Sequence, residues 1–421
     1  MSEYSGEEDF YDEYNEYDEF VDTDPELVND NLTVIANNLN IEYIYSKVPV
    51  FIDVTNDKVV INFDVSQLDK EYVKLLNIKS DIPLIINVSK IGTVFEINTI
   101  DNAGILLYPI YRSKHNTLKE IIDTTLTWIN NPGKWCPVCG DENVTAGPRP
   151  VVCNKGLCRF YASEIGGLIN LYEFIPENWQ LMDLLWTLLY QAVVSPRKEQ
   201  VTNPFPEGFT NKGEKDWELL LNTINSIPKF REIGRKAVEI SKSGEHDKSM
   251  AFESYLQSIN INIPYLMRWL VGTLRTSLKY NKSTEREPDQ ICKRTFKMLA
   301  ETPERMAAFN QLASKYPVIN AFHGSPIENW HSILRHSLKN YSCTDMQLHG
   351  AVHGQGIYLA PQISTAQGYV RSRITYENSI FNGLGILLKA EIINHDIKES
   401  KGFCYVIEDE NKVRIIELCL F

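Results

Sequence analysis

Two close cysteine pairs constrain this chain more than any other feature of it. Cys136-Pro-Val-Cys139 is followed, after thirteen intervening residues, by Cys153 and, after four more, by Cys158. Four thiolates so spaced can converge tetrahedrally on one zinc ion, and Pro137 suits a tight knuckle. The other cysteines, Cys292, Cys343, Cys404 and Cys419, are scattered. A full four-cysteine set leaves no open coordination position, so the expected metal is structural. Eight cysteines in 421 residues are too few for a disulfide framework. A reducing intracellular compartment, cytoplasm or nucleus, is the expectation. The bases flanking the pairs are only Lys134, Arg149, Lys155 and Arg159, which disfavours a nucleic-acid-binding zinc ribbon.

Charge narrows the choice further. The net charge of −13 arises in residues 1–30, which hold 13 acids and no Lys or Arg, so that 31–421 carries 42 charges of each sign. A neutral body with an acidic tail lacks the basic face that a phosphate-coating protein needs. The tail alternates its acids with Tyr4, Phe10, Tyr11, Tyr14, Tyr17 and Phe20 and has few aliphatic residues. It reads as disordered, either a solubilising tail or a docking peptide for a basic partner. It has no apolar core of the kind a secretory signal needs. The best apolar runs, Leu184–Val194 and Ile263–Leu274, fall short of the roughly 18 residues of a membrane span.

The expected architecture is α+β and multidomain. A Leu27–Leu39 helix precedes apolar runs with period-two alternation at Ile41–Ile52, Lys58–Val65, Ile82–Val88 and Thr93–Ile97, separated by turn residues such as Asn56-Asp57 and Gly92. That texture predicts an antiparallel meander over 31–112, an interaction module without a titratable cluster. Asn116 or Thr117 can cap a helix to about Ile129, stopped by Asn131-Pro-Gly133. With the cysteines and a Trp179–Val194 helix, it predicts a helical, zinc-binding region over 113–198. The Pro- and Gly-rich stretch 195–215 is the expected main boundary. Residues 216–316 read as helical, with Trp217, Leu220, Leu221, Ile224 and Ile227 on one face, and strands return from Val318.

The densest chemistry lies between Ala321 and Tyr369, which contains five of the eight histidines. Ala321-Phe322 closes a strand, His323-Gly-Ser325 leaves it, and Trp330–Ser337 reads as a short helix. Gly350, Gly354 and Gly356 lead into a second strand, Gly356–Leu359, and Ser364–Tyr369 begins another helix. A Gly-lined cleft between strand ends is a place for a ligand. A histidine metal site is not favoured: of His331, His336, His349 and His353 only the last two have helical i, i+4 spacing, and Gly350 breaks that stretch.

The order of these motifs resembles a known family. His323-Gly-Ser, Ile327-Glu-Asn-Trp-His-Ser-Ile-Leu-Arg335, Gln347-Leu-His-Gly-Ala and Gly354-Gln-Gly-Ile-Tyr-Leu-Ala-Pro361 are similar to the diphtheria-toxin-like ADP-ribosyltransferases, the poly(ADP-ribose) polymerase family. The closer likeness is to its mono-ADP-ribosylating subgroup with a cysteine-rich region before the catalytic domain. Arg149-Pro-Val-Val-Cys153-Asn-Lys-Gly-Leu-Cys158, Ser195-Pro-Arg-Lys198 and Arg231-Glu-Ile extend it, so that it covers about 115–421. More faintly, the segment after the tail resembles the RWD/ubiquitin-conjugating fold.

The resemblance implies a split-sheet catalytic domain over 199–421, its sheet in 317–421, that binds NAD+ as substrate and transfers ADP-ribose to protein acceptors, the chain itself among them. His323 would hydrogen-bond the adenosine-side ribose and Ser325 the nicotinamide-side ribose. The backbone of Gly324 would pair with the nicotinamide amide, and Tyr358 and Tyr369 would sandwich the pyridinium ring. Two positions depart from the family pattern. The strand Phe403–Asp409 has Cys404 where the polymerases carry a Glu that assists elongation, and a thiol cannot replace a carboxylate's charge. Glu408 lies four residues on, roughly 13 Å along a strand. Single transfers rather than polymers are therefore expected. Where the family offers a Ser hydroxyl to the nicotinamide amide the chain has Ala366, a loss of about 1 kcal/mol that Ser364 or Thr365 would have to offset. The alternative is a catalytically impaired NAD+- or ADP-ribose-binding scaffold.

Overall fold

A computed structural model describes residues 25–55, 58–76, 78–91, 93–102, 115–143, 148–150, 153, 155–158, 169–274, 277–281, 292, 294–300, 303–336, 338, 354–400 and 402–421. Tail residues 1–24, the turns at Asn56-Asp57 and Gly92, Cys343, His349, Gly350 and His353 lie outside the described residues. The helix expected at Leu27–Leu39 is longer, α1 (Pro25–Tyr43), and takes in the start of the run expected as strand from Ile41. Strands β1 (Val50–Thr55), β2 (Lys58–Phe63), β3 (Leu84–Ile91) and β4 (Val94–Asp101) follow as one antiparallel meander. Alternation sends Val59, Ile61 and Phe63 of β2, with Leu84, Ile86 and Val88 of β3, to one inner face. Helix α2 (Lys70–Leu75) lies between β2 and β3.

Helix α3 (Leu118–Asn130) begins where the sequence places its cap: the Thr117 hydroxyl accepts from Glu120 N–H at 3.1 Å, and the Glu120 carboxylate accepts from Asn116 N–H at 2.7 Å. Its face Leu118, Ile121, Ile122, Trp128 and Ile129 joins Leu32, Ala36 and Leu39 of α1 over the meander, forming one core.

A second core runs from Leu171 to Leu420. Its axis is α4 (Leu171–Val193), which kinks at Asn178, two residues after Pro176. Beyond the kink, Leu181, Met182, Leu184, Leu185, Trp186, Leu188, Leu189 and Ala192 are all buried, so this half is surrounded, with Asp183, Thr187 and Gln191 as a buried polar stripe along it. Around it lie α5 (Trp217–Asn225), α6 (Phe230–Ser241), α7 (Lys248–Ile259) and α8 (Ile263–Gly272). Helices of this one core thus stand on both sides of residues 195–215.

Strands return before Val318, contrary to the sequence expectation. β5 (Ser277–Asn281) and β6 (Arg294–Ala300) pair along one edge of a sheet. β5 is the edge strand and β6 lies between it and the strand Val413–Leu420, and the two bury few large apolar side chains, Leu278 and Phe296 chief among them. After α9 (Pro303–Ala313) come β7 (Val318–Gly324), α10 (Trp330–His336), β8 (Ile357–Leu359), α11 (Ile363–Gln367), β9 (Ile386–Ile393), β10 (Lys398–Ser400), β11 (Cys404–Ile407) and β12 (Val413–Leu420). They complete a five-stranded sheet, β5-β6-β12-β9-β7, and a three-stranded one, β8-β11-β10.

Candidate active site

The two C-terminal sheets meet edge to edge at β7 and β8 and then separate. One bridge joins them: Phe322 N–H donates to Ala360 C=O at 2.8 Å, and Ala360 N–H to Phe322 C=O at 2.7 Å. His323 therefore lies within β7 rather than beyond its end, and the strand closes at Gly324. At the point of separation the imidazole replaces the ladder, its Nδ1 lying 2.9 Å from the Tyr358 carbonyl oxygen. Burial holds the His323 pKa below its ordinary value, opposed by that hydrogen bond. A neutral ring that donates through Nδ1 keeps Nε2 as an acceptor. The edge of Trp330, itself buried, meets the ring at 6.2 Å.

Backbone groups along an antiparallel strand alternate in direction. Phe322 directs its N–H and C=O toward β8, so Gly324, two residues on, directs its own to the same side, into the split. The glycine has a further reason to be bare. A Cβ there would lie 1.9 Å from the carbonyl oxygen of Ala366, so α11 rests directly on the strand. Gly356, at φ +152°, is equally constrained, since a Cβ would approach Val406 and the Ile407 carbonyl oxygen within 3 Å.

Ser325 is buried and its hydroxyl accepts from Asn329 Nδ2 at 2.9 Å, while its carbonyl accepts from Trp330 Nε1 at 3.2 Å. Half-buried Tyr358 donates its hydroxyl to Gly354 C=O at 2.7 Å. Tyr369, 43% exposed, follows α11, and its N–H donates to Ala366 C=O at 3.1 Å. Ser364 is exposed on α11, two positions from buried Ala366 and thus turned well away from it, whereas Thr365 is half-buried.

Cys404 opens β11 and is buried, which pushes its thiol pKa up. Tyr358 pairs with Val406 and Ser400 with Cys404, so Tyr358, Val406 and Cys404 share one face of the small sheet. Glu408 does not turn back toward Cys404: its exposed carboxylate accepts from Lys398 Nζ at 2.6 Å, and that ammonium holds its pKa down. The segment after Tyr369 is pinned to α4 by a buried polar stripe that the sequence reading missed. Asp183 accepts from the Tyr376 hydroxyl at 2.6 Å and from Ile380 N–H at 3.1 Å, and Gln191 Nε2 donates to Ile374 C=O at 2.9 Å. A helical spacing of eight, 183 to 191, with Thr187 between, was the available signal.

The four expected thiols also converge. The sulfurs of Cys136, Cys139, Cys153 and Cys158 lie within 4.8 Å of one another, and those of Cys139 and Cys153 are 3.5 Å apart. A tetrahedral ion with bonds of about 2.3 Å would set its sulfurs about 3.8 Å apart, so the cluster could hold a metal ion. The knuckle turns at Gly140 (φ +81°), whose N–H donates to Cys136 C=O at 2.9 Å. Trp135, next to Cys136, packs against Trp128 of α3 at 5.5 Å, which mounts the knuckle on the N-terminal core. Among the described residues no helix is long and apolar enough to cross a membrane.

Comparison with known proteins agrees with this geometry. Residues 278–414 match the family described as poly(ADP-ribose) polymerase catalytic domain, and residues 173–271 match the ARTD15 N-terminal domain. The human and mouse proteins named protein mono-ADP-ribosyltransferase PARP8 are each 30% identical over 249 residues, covering 56% of this chain and 28% of the relative. Human protein mono-ADP-ribosyltransferase PARP16 is 24% identical over 230 residues, covering 51% of this chain and 63% of the relative. The chain thus spans little more than a quarter of the first relatives and less than two thirds of the other. The matched segments take in both the helices around α4 and the split sheet, and the sheet lies in the segment that is similar to the poly(ADP-ribose) polymerase catalytic domain.

Proposed function

We propose that the chain is an NAD+-dependent protein mono-ADP-ribosyltransferase. The observation that carries this reading is the split itself, where His323, the backbone of Gly324 and Tyr358 surround one opening between the sheets. There the Gly324 N–H and C=O match the carboxamide of nicotinamide, and the Nε2 acceptor of His323 suits a ribose hydroxyl. Tyr358 and Tyr369 supply aromatic faces for the cationic ring. Holding ring and ribose apart favours scission: the C1′–N bond breaks, its electron pair leaves with neutral nicotinamide, and C1′ becomes oxocarbenium-like. A nucleophile of the acceptor protein then bonds to C1′ and releases its proton. A buried thiol at 404 gives no carboxylate to activate a ribose hydroxyl for a second transfer, which is why single units are the expected product.

The rest of the chain fits supporting roles. The cysteine cluster is a structural zinc site, formed by thiolates alone. The helix, four-strand meander and closing helix of the N-terminal core support an RWD-like interaction module over 31–112. The intervening region is 113–198 and the catalytic part 199–421, with the catalytic core reaching back to Leu171 through α4. An acidic tail over 1–30 suits a basic partner. All the described cysteines are free thiols, which suits the cytoplasm or nucleus. Digesting the modified protein with a phosphodiesterase tests the product: phosphoribosyl-AMP from chain interiors would contradict single transfer, and AMP alone supports it.

A further inference from the structure

We propose that Arg197, outside the split sheet, binds the diphosphate of NAD+, so that the turn after α4 forms part of the dinucleotide site. The inference rests on the ADP-ribosyltransferase reading and extends it to a residue of the helical part. Ser195, buried at that turn, accepts from the N–H of Arg197 at 3.1 Å and fixes its start. Arg197 Nη1 donates to Asn329 Oδ1 at 3.3 Å, and Asn329 Nδ2 donates to Ser325 Oγ at 2.9 Å. Two hydrogen bonds thus tie the guanidinium to the residue that follows His323-Gly324.

What it lacks is a counter-ion. Two other half-buried arginines, Arg268 and Arg414, are matched by Glu253 and Glu391, and buried Arg335 is spent on Thr273 Oγ1 and the carbonyls of Leu270 and His331. Arg197 is half-buried too, yet among the described residues no carboxylate lies within ion-pair distance of it. Glu328, beside Asn329, is paired to Arg373 at 3.5 Å instead. With Nη1 engaged, the Nε–Nη2 edge presents two parallel N–H donors, the fork that matches two phosphate oxygens. Partial desolvation of an unpaired cation is costly, and an incoming anion offsets it. The diphosphate carries the negative charge of NAD+ and lies between the ribosides assigned to His323 and Ser325.

The test uses the full chain and its Arg197→Ala and Arg197→Lys variants, titrated calorimetrically with ADP-ribose, adenosine and nicotinamide. ADP-ribose is expected to bind at least about tenfold more weakly to Arg197→Ala, with part of the loss restored in Arg197→Lys. Adenosine and nicotinamide affinities and the melting temperature should be unchanged. Unaltered ADP-ribose affinity, or an equal loss for adenosine or nicotinamide, would overturn the assignment. If the unmodified chain binds neither ADP-ribose nor nicotinamide, the dinucleotide site itself fails, and the assignment with it.

Discussion

The Nδ1 atom of His323 and the carbonyl oxygen of Tyr358 lie 2.9 Å apart and close the gap where the two sheets of the catalytic part diverge. One side chain thereby holds the strands at the split. Burial keeps the ring neutral, with a pKa below its ordinary value. The unfolded chain consequently takes up a proton at this group first. The stability it contributes is complete above about pH 6.5 and declines as the pH falls through that value. Ligand affinity should follow the same direction, since protonated Nε2 no longer accepts. ADP-ribose titrations from neutral to mildly acidic pH should show affinity falling on the acid side. A His323→Gln variant should lose that slope, and an unchanged slope would refute the assignment.

Gly324→Ala should be among the most damaging single-methyl changes in the protein. The added Cβ meets a backbone carbonyl at 1.9 Å, which cannot rotate away as a side chain would. Displacing α11 costs about 3 kcal/mol by the scale of overpacked cores. A melting temperature within a degree of the parent would show that the helix does not rest on the strand.

Local features were legible in the sequence: the bare glycines and the Thr117 cap each leave a residue-level trace, whereas His323 and Gly324, expected to leave the strand, belong to β7. The long-range partners were not. Ser364 and Ala366 stand two apart, and only the docking of α11 on Gly324 determines which of them faces the strand. Likewise β5 and β6 become strands through pairing with β12 and each other, in a stretch whose local pattern reads as helix. Asp183 looked like one polar residue in an apolar helix, because its partners Tyr376 and Ile380 lie almost two hundred residues away.

Asp183→Ala should cost about 3 kcal/mol, since it leaves the buried Tyr376 hydroxyl and the Ile380 N–H without their acceptor. Denaturant unfolding measures the loss, and Asp183→Asn, which keeps an acceptor oxygen, should recover part of it. Equal effects of the two substitutions would contradict the hydrogen-bond account of this contact.

Replacing Cys136 by Ser should abolish stoichiometric zinc in metal analysis of the purified protein. It should also expose 134–158 to limited proteolysis, as among the described residues Trp135 is what packs the knuckle on the N-terminal core. Undiminished zinc in the variant would refute the four-thiolate site.

The central claim is tested most directly by incubating the purified chain with NAD+ labelled in its adenylate, beside His323→Ala. Expected is label bound covalently to protein, nicotinamide released in matching amount, and both abolished by the substitution. Saturable NAD+ binding with no release of nicotinamide would contradict it, as would transfer that His323→Ala leaves intact.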